Sequence, residues 1–369
     1  MKSKWEYKKL GDVAKISSGK SIPAEKIAEI AIDGMYPCYG GNGLRGYTDS
    51  FLYDGKYPII GRVGALCGNV HLAEGRFYPT EHALVVSLKS ADVPEYITYL
   101  LSSLHLNRFA KGVAQPVLSA GTLAEIKVPI PPLDEQQRIV AELDLLTEVI
   151  DKRRIQLTEL DTLAQSIFYD MFGDPIENEK GWVEKRLGEA CDVRDGTHDS
   201  PKYVENGYPL VTSKNVVEGT ISFQDVNYIC QEDYDAISKR SRVDDGDIIM
   251  PMIGTIGKPV VVKKDREFAI KNVALIKFLP ETSVLNVFVL ALMSSSSFNT
   301  YMLSKNKGGT QKFIALGDIR KLMIPVPPLT LQQEFADKIQ SIEKQKAAVN
   351  QSIVETQKLL DYTMDKYFG

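Results

Sequence analysis

The stretch PIPPLDEQQRIV at 129–140 returns as PVPPLTLQQEFA at 325–336, and the shared pattern P-x-P-P-L-x-x-Q-Q decides how the chain is divided. The offset between the copies is 196 residues. The same offset superposes KGVAQ (111–115) on KGGTQ (307–311) and MFG (171–173) on YFG (367–369). Nearer the start, WEYKKLGDVAKISSGK (5–20) matches WVEKRLGEACDVRDGT (182–197) at an offset of 177, so that Trp5, Leu10, Gly11 and Gly19 meet Trp182, Leu187, Gly188 and Gly196. Four blocks agreeing in order make a tandem of two related units. The change of offset makes the second globular part 19 residues longer.

Each proline pair opens a long amphipathic pattern. Proline cannot sit inside a helix but suits its entry, and Asp134 and Thr330 are expected to cap it. Then follows a 4-3-4-3 ladder: Ile139, Leu143, Leu146, Ile150, Arg153, Leu157, Leu160, Ala164, Ile167 and Met171. Its second copy is Phe335, Ile339, Ile342, Lys346, Val349, Ile353, Thr356, Leu360, Thr363 and Tyr367. This is a heptad seam over about five heptads, on helices about 60 Å long. No small globular domain can cover such a stripe alone, so the two helices are expected to pack on each other. Arg153 and Lys346 interrupt the seam, either fixing register or reaching out to solvent. Glu142, Asp144, Glu148, Asp151, Glu159 and Asp161 give the first helix an acidic face, solvated or open to a basic partner. Gly173 and Gly369 stand at C-cap positions, and GDPIENEKG (173–181) is a polar linker.

The globular parts read as mixed α and β, an α+β chain. Strands are expected over 57–64 and 82–88, answered by 247–254 and 273–278, with short helices over 94–110 and 284–304. The loops differ. The first unit has YGGNGLRGY (39–47); the second has VRDGTHDSPKY (193–203) and VTSKNV (211–216). A shared scaffold with unlike loops is where binding diversity resides.

The 369 residues carry 44 basic and 48 acidic side chains, net −4. Segment 1–130 is +3, 131–173 is −5, and 174–324 and 325–369 are −1 each. The basic balance typical of a nucleic-acid binder is absent, except mildly in the first segment, so a case for DNA binding must rest on other evidence or on a partner that supplies charge. The N-terminus lacks a signal-peptide core and no apolar run is long enough to span a membrane. Cys38, Cys67, Cys191 and Cys230 are scattered, which fits reduced thiols in the cytoplasm. Phosphate-loop, dinucleotide, zinc-helix and nucleophile-elbow motifs are missing. His71, His82, His105 and His198 do not cluster with the cysteines. Asp244, Asp245 and Asp247 fit a turn better than a metal site. The expectation is a chain without catalysis, cofactor or metal of its own.

Taken together, the W-x₄-L-G-[DE] entries (5–12 and 182–189), the strand pairs around Gly64 and Gly254, and the P-x-P-P-L-x-x-Q-Q exits resemble the specificity (S) subunit of type I restriction-modification enzymes. The likeness covers essentially the whole chain, twice. It implies two target-recognition domains (1–130 and 174–324) and two conserved spacer helices (131–173 and 325–369) that pair antiparallel as a coiled coil. Seam residues Ile139, Leu143, Leu146, Ile150, Leu157, Leu160 and Ile167 would meet Phe335, Ile339, Ile342, Val349, Ile353 and Leu360. The implied partners are double-stranded DNA, two methyltransferase subunits that bring S-adenosylmethionine, and restriction/translocase subunits that use ATP. Each domain would read half of an asymmetric bipartite target. Arginine suits guanine, and asparagine or glutamine suits adenine. The candidate readers are Lys20, Asn42, Arg45, Tyr47, Arg62 and Gln115 in the first unit. In the second they are Thr197, His198, Lys202, Lys214, Asn215, Lys271, Asn272, Gln311 and Lys312. For Arg62 a structural ion pair is the competing role; for Gln115 and Gln311, a structural or backbone-contacting one; for Tyr47, packing of the loop. Two other readings stand beside this one: a coiled-coil adaptor whose globular parts bind proteins, and the recognition part of another restriction-modification type. A start at Met1 without catalytic motifs is expected to disfavour the latter.

Overall fold

A computed structural model describes residues 5–112, 116–217, 219–252, 259–304 and 314–369. Gln115, Gln311, Lys312 and Gly254 lie outside the described residues. The chain forms two compact units, residues 1–154 with 350–369, and residues 155–349, so the division falls inside each long helix.

The first unit begins with β1 (Glu6–Lys9), the single turn α1 (Leu10–Val13) and β2 (Ala14–Ser18). There follow β3 (Tyr36–Gly40), β4 (Gly43–Thr48), β5 (Tyr53–Asp54), β6 (Tyr57–Gly61), β7 (Val70–Ala73), β8 (Arg76–Pro79) and β9 (Ala83–Leu88). Helices α2 (Pro94–Ser103) and α3 (Ala120–Ala124) precede β10 (Lys127–Ile130) and the long α4 (Leu133–Phe172). The frame sheet has the order β2-β9-β6-β7, all antiparallel, and a second sheet has the order β4-β3-β8-β5, with β3 and β8 parallel. β1 pairs with β10, Glu6 opposite Ile130, so the two ends of the globular part meet. β6 and β9 are apolar on both faces because both faces are covered. Ile60, Leu84 and Val86 pack with Tyr96, Leu100 and the helix residues Ile139 and Leu143, while Ile59 and Ala83 pack with Phe77.

The second unit repeats the plan with β11 (Glu184–Arg186), α5 (Leu187–Ala190), β12 (Asp192–Asp195), β13 (Tyr203–Val204), β14 (Tyr208–Val211), β15 (Val216–Val217), β16 (Thr220–Ile221) and β17 (Asn227–Ile229). Then come α6 (Gln231–Ser241), β18 (Ile248–Pro251), β19 (Val260–Val261), β20 (Ala269–Ile270), β21 (Val273–Lys277), α7 (Asn286–Ser294), α8 (Ser296–Ser304), α9 (Leu316–Arg320), β22 (Met323–Pro325) and the long α10 (Leu329–Phe368). Its frame sheet, β12-β21-β18-β19, matches β2-β9-β6-β7 strand for strand. In its second sheet, β13-β17-β14-β20, the parallel pair Leu210–Ala269 and Val211–Ile270 answers Cys38–Tyr78 and Tyr39–Pro79. The edges differ: β5 flanks β8 in the first unit, whereas β13 flanks β17 in the second. The hairpin β15–β16 and helix α6 lie in the longer stretch between β14 and β18.

Both long helices are continuous for 40 residues. In the second unit they run antiparallel: Phe168 and Phe172 stack edge-on against Phe335 with centroids 5.8 and 5.3 Å apart, and Asp161 meets Lys346. In the first unit the start of α4 meets the end of α10, where Tyr367 donates its hydroxyl to Glu142 at 2.6 Å and Arg138 lies over the Tyr367 ring. Ile139, Leu143, Ile150, Leu160, Phe335, Ile342 and Val349 are buried; Leu146, Leu157, Ile167, Ile339, Ile353 and Leu360 are half-buried. Lys346 joins the two roles open to it: its stem lies in the seam and its ammonium bridges Asp161 across the pair and Glu343 on its own helix, each at 2.8 Å.

Several boundaries differ from the sequence reading. The helices begin at Leu133 and Leu329, so Asp134 and Thr330 sit in the first turn and not at the cap. The carbonyls of Pro132 and Pro328 take the first helical amides, from Gln136 at 3.0 Å and Gln332 at 3.1 Å. The four frame strands stop where a turn begins: 57–61, 83–88, 248–251 and 273–277. The expected helix over 94–110 ends at Ser103, and after His105 in a left-handed conformation a 3₁₀ turn covers Leu106–Phe109. The one over 284–304 is broken into α7 and α8 at Ser295, which is extended. Gly173, at φ +78°, closes α4 by donating to the Tyr169 carbonyl at 2.8 Å.

Candidate functional site

Each unit contains the same backbone crossing at the junction of its two sheets. In the first, β2 ends and Gly19 donates its N–H to the Ala83 carbonyl while Lys20 donates to Pro79, both at 3.0 Å. In the second, Gly196 donates to Val273 and Thr197 to Ile270, again at 3.0 Å. The crossing explains the repeated glycine. A Cβ on Gly19 would stand 2.1 Å from the Pro79 oxygen, and one on Gly196 would stand 2.4 Å from the Ile270 oxygen. Between the anchors run Thr80–His82 in the first unit and Lys271–Asn272 in the second. The backbone is shared and the side chains are not.

Around the first crossing, Arg62 follows β6 and is half-buried. Its N–H donates to the His82 carbonyl at 2.9 Å, and its guanidinium reaches the Ser18 hydroxyl at 3.2 Å and the Glu81 carbonyl at 3.4 Å. Among the described residues, the Arg62 Nε and one Glu81 carboxylate oxygen are buried with no hydrogen-bond partner. Asn42, on the glycine loop, accepts from the Asn69 carboxamide at 3.2 Å. Lys20, Asn42, Arg45 and His82 are exposed. Tyr47 is half-buried and its backbone is tied to Ala28 by two bonds of 2.8 Å. His71 has its Nε2 buried without a partner among the described residues, and burial holds its pKa below the ordinary value.

The second crossing gathers Thr197, His198, Lys271 and Asn272. The His198 ring lies between two groups, Nδ1 2.9 Å from the Asn272 oxygen and Nε2 2.7 Å from Asp195. The hydrogen bonds to Asn272 and then Asp195 raise its pKa above the ordinary value. Arg240, from α6, pairs with Asp195 at 3.0 Å and donates to the Gly196 carbonyl at 2.7 Å. Lys271 donates to the Ser200 hydroxyl at 2.8 Å, and buried Thr197 accepts from the Asp199 amide at 3.1 Å. An open cleft of about 290 Å³ adjoins this cluster, lined by Thr197, Asp199, Ser200, Asp233 and Arg240 among others. Lys202 and Lys214 are exposed. Asn215 is 7% exposed and its carboxamide oxygen accepts from the Thr212 amide at 3.0 Å and hydroxyl at 2.9 Å. It braces a turn. The acidic trio serves the fold: Asp247 and Asp244 hold the buried Lys277 ammonium at 2.6 and 2.8 Å, and Asp245 accepts from the Lys264 amide at 2.8 Å.

Sequence reasoning missed Ser18, Asn69, Glu81, His82, Asp195, Ser200 and Arg240. Ser18 and Asp195 immediately precede the repeated glycines, which was a usable signal. Arg240 lies in a helix without a counterpart in the first unit, and only the fold brings it to Asp195.

A family model described as the type I restriction modification DNA specificity domain matches residues 2–160 and again 179–356. The chain belongs to this family. The EcoprrI type I specificity subunit of Escherichia coli is 43% identical over 138 residues, which is 37% of this chain and 34% of that protein. The MjaIX specificity subunit of Methanocaldococcus jannaschii is 24% identical over 98% of this chain and 92% of its own. Among solved structures, the S subunit of a type I restriction-modification system from M. genitalium has the same fold, with a TM-score of 0.60 at 15% identity over 99% of this chain and 96% of that one. As a type I specificity subunit, the chain is the DNA-recognition component of its system and not an enzyme. Its partners are DNA and a methyltransferase subunit. Among the described residues no helix is long and apolar enough to cross a membrane.

Proposed function

We propose that each globular part reads one half of an asymmetric, bipartite double-stranded DNA target, and that the paired helices set the gap and dock two methyltransferase subunits. Restriction/translocase subunits join through that complex. One observation carries the reading. Two crossings with the same backbone bonds carry Ser18, Lys20 and Thr80–His82 in one unit and Asp195, Thr197 and Lys271–Asn272 in the other. Like frames with unlike side chains suit two unlike half-sites. Successive major-groove faces recur about every 34 Å, so a rigid helical spacer can hold two readers to a fixed register. The near-neutral charge of −4 fits a protein that specifies bases while its partners neutralise much of the phosphate backbone.

Methylation mapping of a host carrying this chain and its methyltransferase tests the reading. The expected result is a gained motif with two dissimilar halves separated by unread bases. Replacing residues 1–130 by the corresponding part of another specificity subunit should alter one half alone. An active complex that gains no bipartite motif overturns the proposal.

A further inference from the structure

Asn272 stands at the second crossing with its backbone fixed and its side chain set by a neighbour. Its φ is +56°, a left-handed conformation that asparagine tolerates better than most residues. Its N–H donates to the Thr197 carbonyl at 3.2 Å, and its carbonyl accepts from the Ser213 hydroxyl at 3.5 Å. Only the carboxamide can turn. The charged groups facing the His198 ring are Asp195 from its own segment and Arg240 from α6; Lys271, beside Asn272, is directed to Ser200.

A carboxylate accepts only, so the His198 nitrogen facing Asp195 carries a proton. When the other nitrogen is also protonated it donates to the Asn272 oxygen, and the free edge of the carboxamide is its NH₂, a pure donor. When that proton leaves, the carboxamide must turn its NH₂ toward the ring and present its oxygen instead. The His198 side chain is 59% exposed and Asn272 is half-buried, so the pair lies at the edge of the surface and not in the core. We propose that Asn272 is a base-reading residue of the second unit, presenting its NH₂ to a major-groove acceptor of one base pair, with His198 as the positioning residue that selects this edge. Guanine O6 and N7, adenine N7 and thymine O4 are the acceptors that fit. The inference rests on the proposed half-site reading and names the group that performs part of it.

The test uses the whole chain in complex with its methyltransferase. Asn272→Gly keeps the left-handed backbone and removes the side chain. It should leave the first half-motif and the gap intact and relax one position in the second half, by roughly 5- to 150-fold in discrimination. Asn272→Asp replaces the donor by an acceptor and should move the preference there toward adenine or cytosine. Parent selectivity at that position should fall as pH rises past the His198 titration, and His198→Gln should abolish this pH dependence. Binding by the parent complex to duplexes carrying 7-deazaguanine (no N7) or 2-aminopurine (no O6) for guanine, 7-deazaadenine for adenine, or 5-methyl-2-pyrimidinone for thymine, needs no variant. Deleting the acceptor at one second-half position should weaken binding by the same factor. A motif unchanged in Asn272→Gly, or a parent complex indifferent to every acceptor deletion in the second half, overturns the assignment of Asn272 while leaving the bipartite reading standing. A parent that gains no bipartite motif overturns both.

Discussion

The Leu285 amide donates to the Gln332 carboxamide oxygen at 2.8 Å, and the Val93 amide makes the same bond to Gln136 at 2.9 Å. Both glutamines are buried, 0% and 1% exposed, and each returns its NH₂ to a proline carbonyl, Pro327 at 2.8 Å and Pro131 at 2.9 Å. The first glutamine of P-x-P-P-L-x-x-Q-Q therefore joins the helix after the frame sheet to the mouth of the long helix. Its replacement strands a buried amide and a buried carbonyl together. Gln332→Leu and Gln136→Leu should each destabilise by about 1–3 kcal/mol. The sites are in separate units, so the double variant should show the sum. Urea unfolding checks this, and a loss below half a kilocalorie for either would show the bonds to be incidental.

The crossing glycines make a sharper case. Gly19→Ala and Gly196→Ala place a methyl group within 2.1 and 2.4 Å of a carbonyl oxygen, so the backbone itself must move. Each should cost about 3 kcal/mol or more, the range of severe overpacking. Gly317 in α9 has nothing within 4 Å of its would-be Cβ. There alanine should stabilise by up to about 1 kcal/mol through helix propensity. Thermal unfolding of the three variants decides. Equal effects at Gly19 and Gly317 would contradict the close approach.

Those two cases show what a single sequence can and cannot disclose. Gly19, Gly196, Gln136 and Gln332 were marked by the repeat, because a backbone clash or a buried amide permits few substitutes in either unit. The seam was legible because heptad spacing is a local property. The partner of His198 was not: Asp195 is three residues away, but Asn272 and Arg240 reach the ring and its carboxylate from separate strand and helix segments. Nor was the setting of Asn215: asparagine serves turns and bases with the same carboxamide, and its burial and its bonds from Thr212 show only in the fold.

Two histidines should titrate on opposite sides of 6.5, the ordinary value. His198 is raised by Asn272 and Asp195, so its contribution to the second unit is complete below 6.5 and is lost as pH rises through the raised value. His71 is lowered by burial, so its contribution to the first unit is complete above 6.5 and is lost as pH falls through the lowered value. NMR titration of the ring protons in the full chain should separate them. Asn272→Gly and Asp195→Asn should each bring His198 down and leave His71 in place. A His198 that titrates below His71 would contradict the bonded geometry.

The spacer reading makes a prediction in base pairs. Seven residues inserted into α4 after Leu157, with seven inserted into α10 after Val349, preserve the heptad phase of both helices. They lengthen each by about 10.5 Å, the rise of about three base pairs. Both half-motifs should survive unchanged and the gap between them should grow by about three. The insertion in α4 alone should instead set Asp161 out of register with Lys346, now 2.8 Å apart, and weaken the pair. Methylation mapping of the doubly inserted chain reads the gap directly. A motif with its original spacing would remove the helices from the role of spacer.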